Sequence, residues 1–289
     1  VSGLLILNGF GLSLGDSLIG LQALHAARQL GRITGRVILR RGPGLSAMVD
    51  ALYGLCRFAE IEHGDPSELT AHRGPVIDLR DLAFDPRFAG VAMIDFFLAR
   101  LGVAPATVPA TLKRNLWLAR CVPRPAPGGY VLICPRSSMA LRDWPEDVHR
   151  AVVAEVLQRH PGPVLTQGPW QDDWPHRLAR APRAETIEQL CALVAGASAM
   201  ISTDTGMLHL ADAFDVPCAA VFTTHRPDWR VRDYPHCHTV RVVADGLEGL
   251  EFLRGPGDLV SIAEAWRSTH ADPGWAGRLA SLVLPVSSR

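Results

Sequence analysis

The sequence predicts an α/β protein built from two units, each with a parallel sheet. Short apolar runs alternate with stretches of helical periodicity along the chain, which is the pattern of repeated strand–helix units. The alternation is interrupted at residues 121–129, where three prolines and two glycines fall within nine residues and favour an extended connector. A length of 289 residues leaves room for a modest domain on either side of it.

In the first unit, taken as 1–122, Leu4-Leu5-Ile6-Leu7 reads as a buried strand, and residues 18–30 put Leu18, Leu21, Leu24 and Ala27 on one helical stripe. Val37-Ile38-Leu39 follows as a strand, 45–55 as a helix, Val76-Ile77-Asp78-Leu79 as a strand and 88–101 as a helix. In the second unit, 130–289, the order is strand 130–134, helix 145–160, strand Val164-Leu165-Thr166, helix 187–195, strand Met200-Ile201-Ser202, helix 207–214, strand 218–222 and a helix over 258–266. A cleft between two such units is the default place for a site.

Composition excludes several function classes. Basic and acidic residues balance at 29 each with no block of like charge, which argues against a nucleic-acid surface or a polybasic membrane surface. One basic residue, Lys113, is lysine and the other 28 are arginine. Chemistries that need a lysine in a P-loop, a Schiff base or a Tyr-x-x-x-Lys pair have Lys113 alone to draw on, and it stands in none of those contexts. The six cysteines are far apart with no Cys-x-x-Cys, and read as reduced thiols. Residues 1–7 open into an apolar run without a basic leader, and no run reaches the roughly 18 residues of a bilayer span. A soluble cytoplasmic protein is expected.

Three segments carry candidate chemistry. The first is the glycine-rich turn Asn8-Gly9-Phe10-Gly11-Leu12-Ser13-Leu14-Gly15-Asp16. As a loose dinucleotide fingerprint it would pair with Arg40-Arg41, poised for a 2′-phosphate, in an NADP-dependent oxidoreductase. Gly11-Leu12-Ser13-Leu14-Gly15 fits the G-x-S-x-G elbow, though Ser13 lies several residues beyond the strand. Asp16 reads either as a carboxylate on the helix start or as a general base.

The second segment, Cys134-Pro135-Arg136-Ser137-Ser138 through Arg142-Asp143-Trp144-Pro145-Glu146, joins hydroxyls and guanidinium groups at the end of a strand. That combination suits a diphosphate; an exposed polar loop is the plain alternative. In the third, an apolar strand runs into Asp204-Thr205-Gly206 and straight into a helix, whose first N–H groups would form an anion site. His209, one turn on, is a candidate donor to the same oxygens, against the commoner structural role of a helical histidine. The single Asp-Thr-Gly does not suit an aspartic protease, which needs two such carboxylates. His236-Cys237-His238 is a poor metal site, because consecutive ligands fit a tetrahedral centre badly.

Read together, these segments resemble the heptosyltransferase family of GT-B glycosyltransferases, strongly over about 130–222 and weakly before it. Gly15-Asp16 is similar to the family's N-terminal turn, and Val76-Ile77-Asp78-Leu79-Arg80 to its later strand. Ser137-Ser138 with Arg142-Asp143-Trp144-Pro145 resembles its donor-phosphate loop, with Arg142 where a lysine is usual. Asp204-Thr205-Gly206 with His209 resembles its most specific signature. Thr223-Thr224-His225 stands where the family has Gly-Pro-Thr, and the acceptor half is shorter around 81–103.

The resemblance implies a GT-B fold, with two Rossmann-like domains facing each other across a cleft and the last helix packing back on the N-terminal domain. It implies an inverting transfer of a sugar, by default heptose, from an ADP-sugar to a glycan or lipid-linked glycan, at the inner face of the inner membrane. Asp16 would be the base. Ser137, Ser138, Arg142, Asp172, Asp204, Thr205, Gly206 and His209 would hold the donor. No cofactor or metal is expected, and the sequence contains no Asp-x-Asp. A GT-B module that binds nucleotide or glycan without transfer has the same signature.

Overall fold

The computed structural model describes residues 3–42, 46–65, 72–88, 90–123, 125–126 and 128–284. The chain forms two units, one of residues 1–123 with 185–190, the other of 124–184 with 191–289. The crossing at 123/124 falls inside the proline-rich connector, and residues 185–190 are a second stretch grouped with the first unit.

The first unit has a four-stranded parallel sheet in the order β3-β2-β1-β4, from β1 (Leu4–Leu7), β2 (Val37–Arg41), β3 (Glu60–His63) and β4 (Val76–Asp78). Three helices accompany it: α1 (Leu14–Gln29), α2 (Ala47–Gly54) and α3 (Met93–Arg100). Helix α1 starts four residues earlier than its apolar stripe predicts. Ser13 caps it there, its Oγ accepting the Asp16 N–H at 3.1 Å. Gly20 is required by packing: a Cβ at this position would lie 2.1 Å from the Phe10 ring. The predicted helix over 88–101 begins only at Met93, and Leu45, the first residue of the predicted second helix, lies outside the described residues.

The second unit has a six-stranded parallel sheet in the order β10-β9-β8-β5-β6-β7. Its strands are β5 (Tyr130–Cys134), β6 (Val164–Thr166), β7 (Leu178–Arg180), β8 (Ala197–Thr203), β9 (Cys218–Phe222) and β10 (Cys237–Arg241). Counted from β5 this is the 3-2-1-4-5-6 order of a doubly wound Rossmann sheet. The helices that follow β5 in the chain are α4 (Glu146–Arg159), α5 (Ile187–Ala195), whose first four residues are grouped with the first unit, α6 (Met207–Ala213), the short α7 (Pro227–Arg230), α8 (Pro256–His270) and α9 (Trp275–Ser281). The core joins Val131, Ile133, Ile201, Ala219 and Val221 of the sheet to Trp144, Val152 and Trp266. Helix α9 packs on α4 of its own unit.

β3, β7 and β10 escape sequence reading for one reason. They are edge strands whose exposed or mixed side chains show neither an apolar run nor clean alternation.

Candidate functional site

The order of the second sheet reverses between β5 and β8, and ligands of such sheets bind outside the carboxyl ends of the strands at that point. Cys134 pairs with Ser202, so the segments that leave β5 and β8 emerge side by side. Both strong motifs of the sequence are there.

The segment after β5 is held by its own residues. Asp143 accepts the Ser137 N–H and the Arg136 guanidinium, each at 2.8 Å. The Ser137 hydroxyl donates to Met139 O and accepts the Met139 N–H, so it closes a local turn, while Ser138 is exposed. Arg142 ends a short 3-10 turn over Ala140–Arg142. That turn is anchored by hydroxyls from the next two strands: Thr203 donates to Arg142 O, and Thr223 donates to Leu141 O at 2.9 Å.

Arg142, Asp204, His225, Arg230 and Glu251 form one cluster. Arg142 Nη1 is 3.7 Å from Asp204 Oδ2, and its Nη2 is 3.4 Å from Glu251 Oε2. His225 lies between the two carboxylates, with Nδ1 2.7 Å from Asp204 Oδ2 and Nε2 3.0 Å from Glu251 Oε1. Arg230 Nη2 donates to Glu251 Oε1 at 2.6 Å. Burial pushes the Asp204 carboxyl up, but Arg142, His225 and Arg230 outweigh it and hold it well below the usual carboxylate range. Glu251 meets the same opposition, and His225, Arg230 and Arg142 bring it down to about 2. Both acids are ionised at neutral pH.

Thr205 and Gly206 lie ahead of α6, whose first helical bond is Leu208 N–H to Thr205 O. His209 is buried, and its Nδ1 is 2.8 Å from the Tyr234 hydroxyl. Burial lowers its pKa to about 4 in spite of Asp204, so the ring is neutral at pH 7 and offers a hydrogen bond rather than a charge. Asp172 is exposed, and Asp173 beside it pairs with Arg150 at 2.9 Å.

Sequence reasoning missed His225, Arg230, Glu251 and the two anchoring threonines. It also missed His149, which is buried with Nε2 3.0 Å from Thr166 Oγ1. Burial first, then Arg136 and Arg150, lower its pKa to about 4. An unfolded histidine titrates near 6.5, so between about pH 6.5 and 4 the unfolded chain takes up protons at His149 and His209 that the folded one refuses. The stability they contribute is complete above pH 6.5 and falls with pH by up to about 3 kcal/mol for each. Melting curves from pH 7.5 to 4.5 are expected to show this fall, shallower in His209→Gln; equal slopes in the two proteins would contradict it.

In the first unit the chain leaves β1 through Asn8, Gly9 and Gly11, all at positive φ (63°, 50° and 86°). Asp16 is the third residue of α1, half-buried, and a Cβ on Gly11 would sit 3.3 Å from its Oδ2. Asp16 is therefore a first-turn acid and Ser13 the cap. Ser13 caps α1 several residues after β1 ends at Leu7, away from the sharp strand-to-helix turn that a nucleophile elbow needs.

The Arg40-Arg41 reading also fails. Arg40 pairs with Glu62 at 2.8 Å. Arg41 is 1% exposed, donates to Gly11 O at 3.0 Å and stacks on Tyr53 at 3.7 Å. It braces the glycine turn from inside, where it cannot meet a 2′-phosphate. Asp78 at the end of β4 pairs with Arg80 at 2.5 Å.

Among the described residues no group of three or more His, Cys, Asp or Glu is placed to hold a metal ion, and no helix is long and apolar enough to cross a membrane.

The comparisons agree with this architecture. Residues 102–243 match the family described as glycosyltransferase family 9 (heptosyltransferase). Among solved structures, the chain is similar to E. coli ADP-heptose lipopolysaccharide heptosyltransferase II (TM-score 0.59, 12% identity, 93% of this chain and 99% of that one). It is also similar to E. coli heptosyltransferase WaaC with ADP (TM-score 0.54, 16% identity, 93% and 99%). A third is the iron-containing dodecameric glycosyltransferase TibC of enterotoxigenic E. coli (TM-score 0.60, 20% identity, 96% and 76%). No curated protein matches the chain. The matched segment contains Ser137, Arg142, Asp204 and His209, and in that segment and in its two parallel sheets this chain is similar to the heptosyltransferase-like GT-B glycosyltransferases.

Proposed function

We propose that this protein is an inverting, metal-independent glycosyltransferase that moves a sugar, heptose by family default, from an ADP-sugar to a hydroxyl of a bacterial surface glycan. The observation that carries the reading is the Arg142–Asp204 cluster at the switch point of the second sheet, inside the matched segment. The neighbours described with ADP and with ADP-heptose support an adenine nucleotide and that sugar.

On this reading the second unit holds the donor. As the bond to the anomeric carbon breaks, charge accumulates on the leaving diphosphate, and Arg142, Ser138 and the N–H groups of Thr205 and Gly206 stabilise it. Ser137 shapes the segment around them. His209 donates a neutral hydrogen bond, Asp172 takes the ribose, and Asp204 holds Arg142 and His225 in place. In the first unit Asp16 takes the proton of the acceptor hydroxyl as it attacks. The acceptor is a glycan or lipid-linked glycan, met by peripheral contact at the inner face of the inner membrane. Neutral overall charge suits a small donor over nucleic acid.

A thermal-shift panel of ADP, UDP, GDP, CMP and NADP tests the donor class, because a ligand raises the melting temperature by mass action. ADP is expected to stabilise the protein; stabilisation by NADP alone would sink the reading. Arg142→Ala is expected to weaken ADP binding by about 10- to 100-fold, the worth of one or two charge-assisted hydrogen bonds. An unchanged Kd would remove Arg142 from the site.

A further inference from the structure

We infer that Glu251 is an internal competitor for the donor's diphosphate, and that Arg230 is a second phosphate-binding cation beside Arg142. The inference rests on the donor-binding reading above and adds two residues to that site.

One carboxylate spans both arginines. Glu251 Oε2 is 3.4 Å from Arg142 Nη2, while Oε1 is 2.6 Å from Arg230 Nη2 and 3.0 Å from His225 Nε2. Two anionic oxygens held between two guanidinium groups is also how a diphosphate would be held. The two acids of the cluster differ in position. Asp204 is the inner one, its side chain 4% exposed, with His225 at 1%. Glu251 is the outer one at 23%, on the segment between β10 and α8, followed by Phe252 and Leu253 at 63% and 41%. An incoming anion reaches Glu251 first, while Val242, Ala244 and Leu247 anchor the preceding part of the segment in the core, so that the side chain can exchange without the segment leaving.

Charge points the same way. Two arginines face two ionised carboxylates, so their fixed charges cancel and the cluster has little net attraction for an anion while Glu251 stays in it. Withdrawing Glu251 leaves an excess of positive charge for a diphosphate to meet. The diphosphate carries more negative charge than one carboxylate and can displace it, but binding then includes the cost of breaking Glu251's contacts. The device favours ligands with two adjacent phosphates over those with one.

The sign of a mutational effect tests this. Glu251→Gln removes the charge at nearly constant volume, and by calorimetric titration ADP is expected to bind about ten-fold tighter than to the parent protein, with a smaller change for AMP. Glu251→Asp keeps the charge on a stem too short to span both arginines and is expected to lie between. It also provides the answer if the glutamine variant does not fold, as judged by circular dichroism. If both folded variants bind ADP as weakly as the parent or more weakly, Glu251 only positions the arginines and the inference is overturned. If the parent protein itself binds no adenine nucleotide, the donor reading fails and this inference falls with it; if the parent binds ADP and only the variants disagree, the donor reading stands.

Discussion

Asp16→Ala and Asp16→Asn are expected to lose sugar transfer by about 10²- to 10⁴-fold while binding ADP as tightly as the parent protein. The magnitude is that of removing a positioned general base. The separation of effects arises because Asp16 belongs to the first unit, whereas the candidate phosphate and nucleotide residues belong to the second. A competing role for Asp16 is purely local. As a first-turn acid of α1 it interacts with the positive end of the helix, which is worth about 0.3–1 kcal/mol. That role predicts a small drop in melting temperature with turnover intact. Release of ADP from an ADP-sugar in the presence of acceptor, measured beside a melting curve, distinguishes the two, and unchanged turnover would reject Asp16 as the base.

Asp204→Ala is expected to cost about 3–5 kcal/mol of folding stability and to abolish measurable ADP binding. This is a large part of the roughly 5–15 kcal/mol that holds an ordinary domain together. Asp204 is buried, accepts from His225 at 2.7 Å and faces Arg142 at 3.7 Å. Removing it takes one of the two carboxylates away from a cluster of two guanidinium groups and an imidazole. Urea titration of the variant, with His225→Gln and the double variant, measures the coupling. The pair should be non-additive by about 0.5–3 kcal/mol because each is the other's partner. A loss below about 1 kcal/mol in Asp204→Ala would mean that the cluster is not a stabilising unit. The acids also set an acid limit: the contribution of Glu251, complete above its ordinary pKa near 4.5, is lost as the pH falls towards about 2.

Much of the fold and part of the site are legible in the amino-acid sequence. Strands such as β5, β6 and β9 are short apolar runs buried in the sheet, so composition alone reveals them. The Ser137–Arg142 segment and the Asp204-Thr205-Gly206 turn are local patterns, and their residue types are visible in a string of letters. Even the oddity at His225 is visible there, as three residues that depart from the family's pattern.

Its partners are not. Glu251 is 109 residues from Arg142 and 21 from Arg230, and no spacing rule links them. The same holds for Thr203 at the end of β8 and Thr223 just after β9, which become anchors because neighbouring strands end beside the Arg142 turn. Arg41 shows the reverse, since its place in the sequence offers it to a ligand and burial against Tyr53 withdraws it.

By itself, then, the sequence determined the α/β class, the strand–helix alternation and the local motifs at the ends of β5 and β8, because apolar periodicity and local motifs are properties of contiguous chain. Which charges meet which was decided only by the tertiary structure. The sheet order brings the ends of β5, β8 and β9 together, and burial there makes each ion depend on a partner distant in sequence.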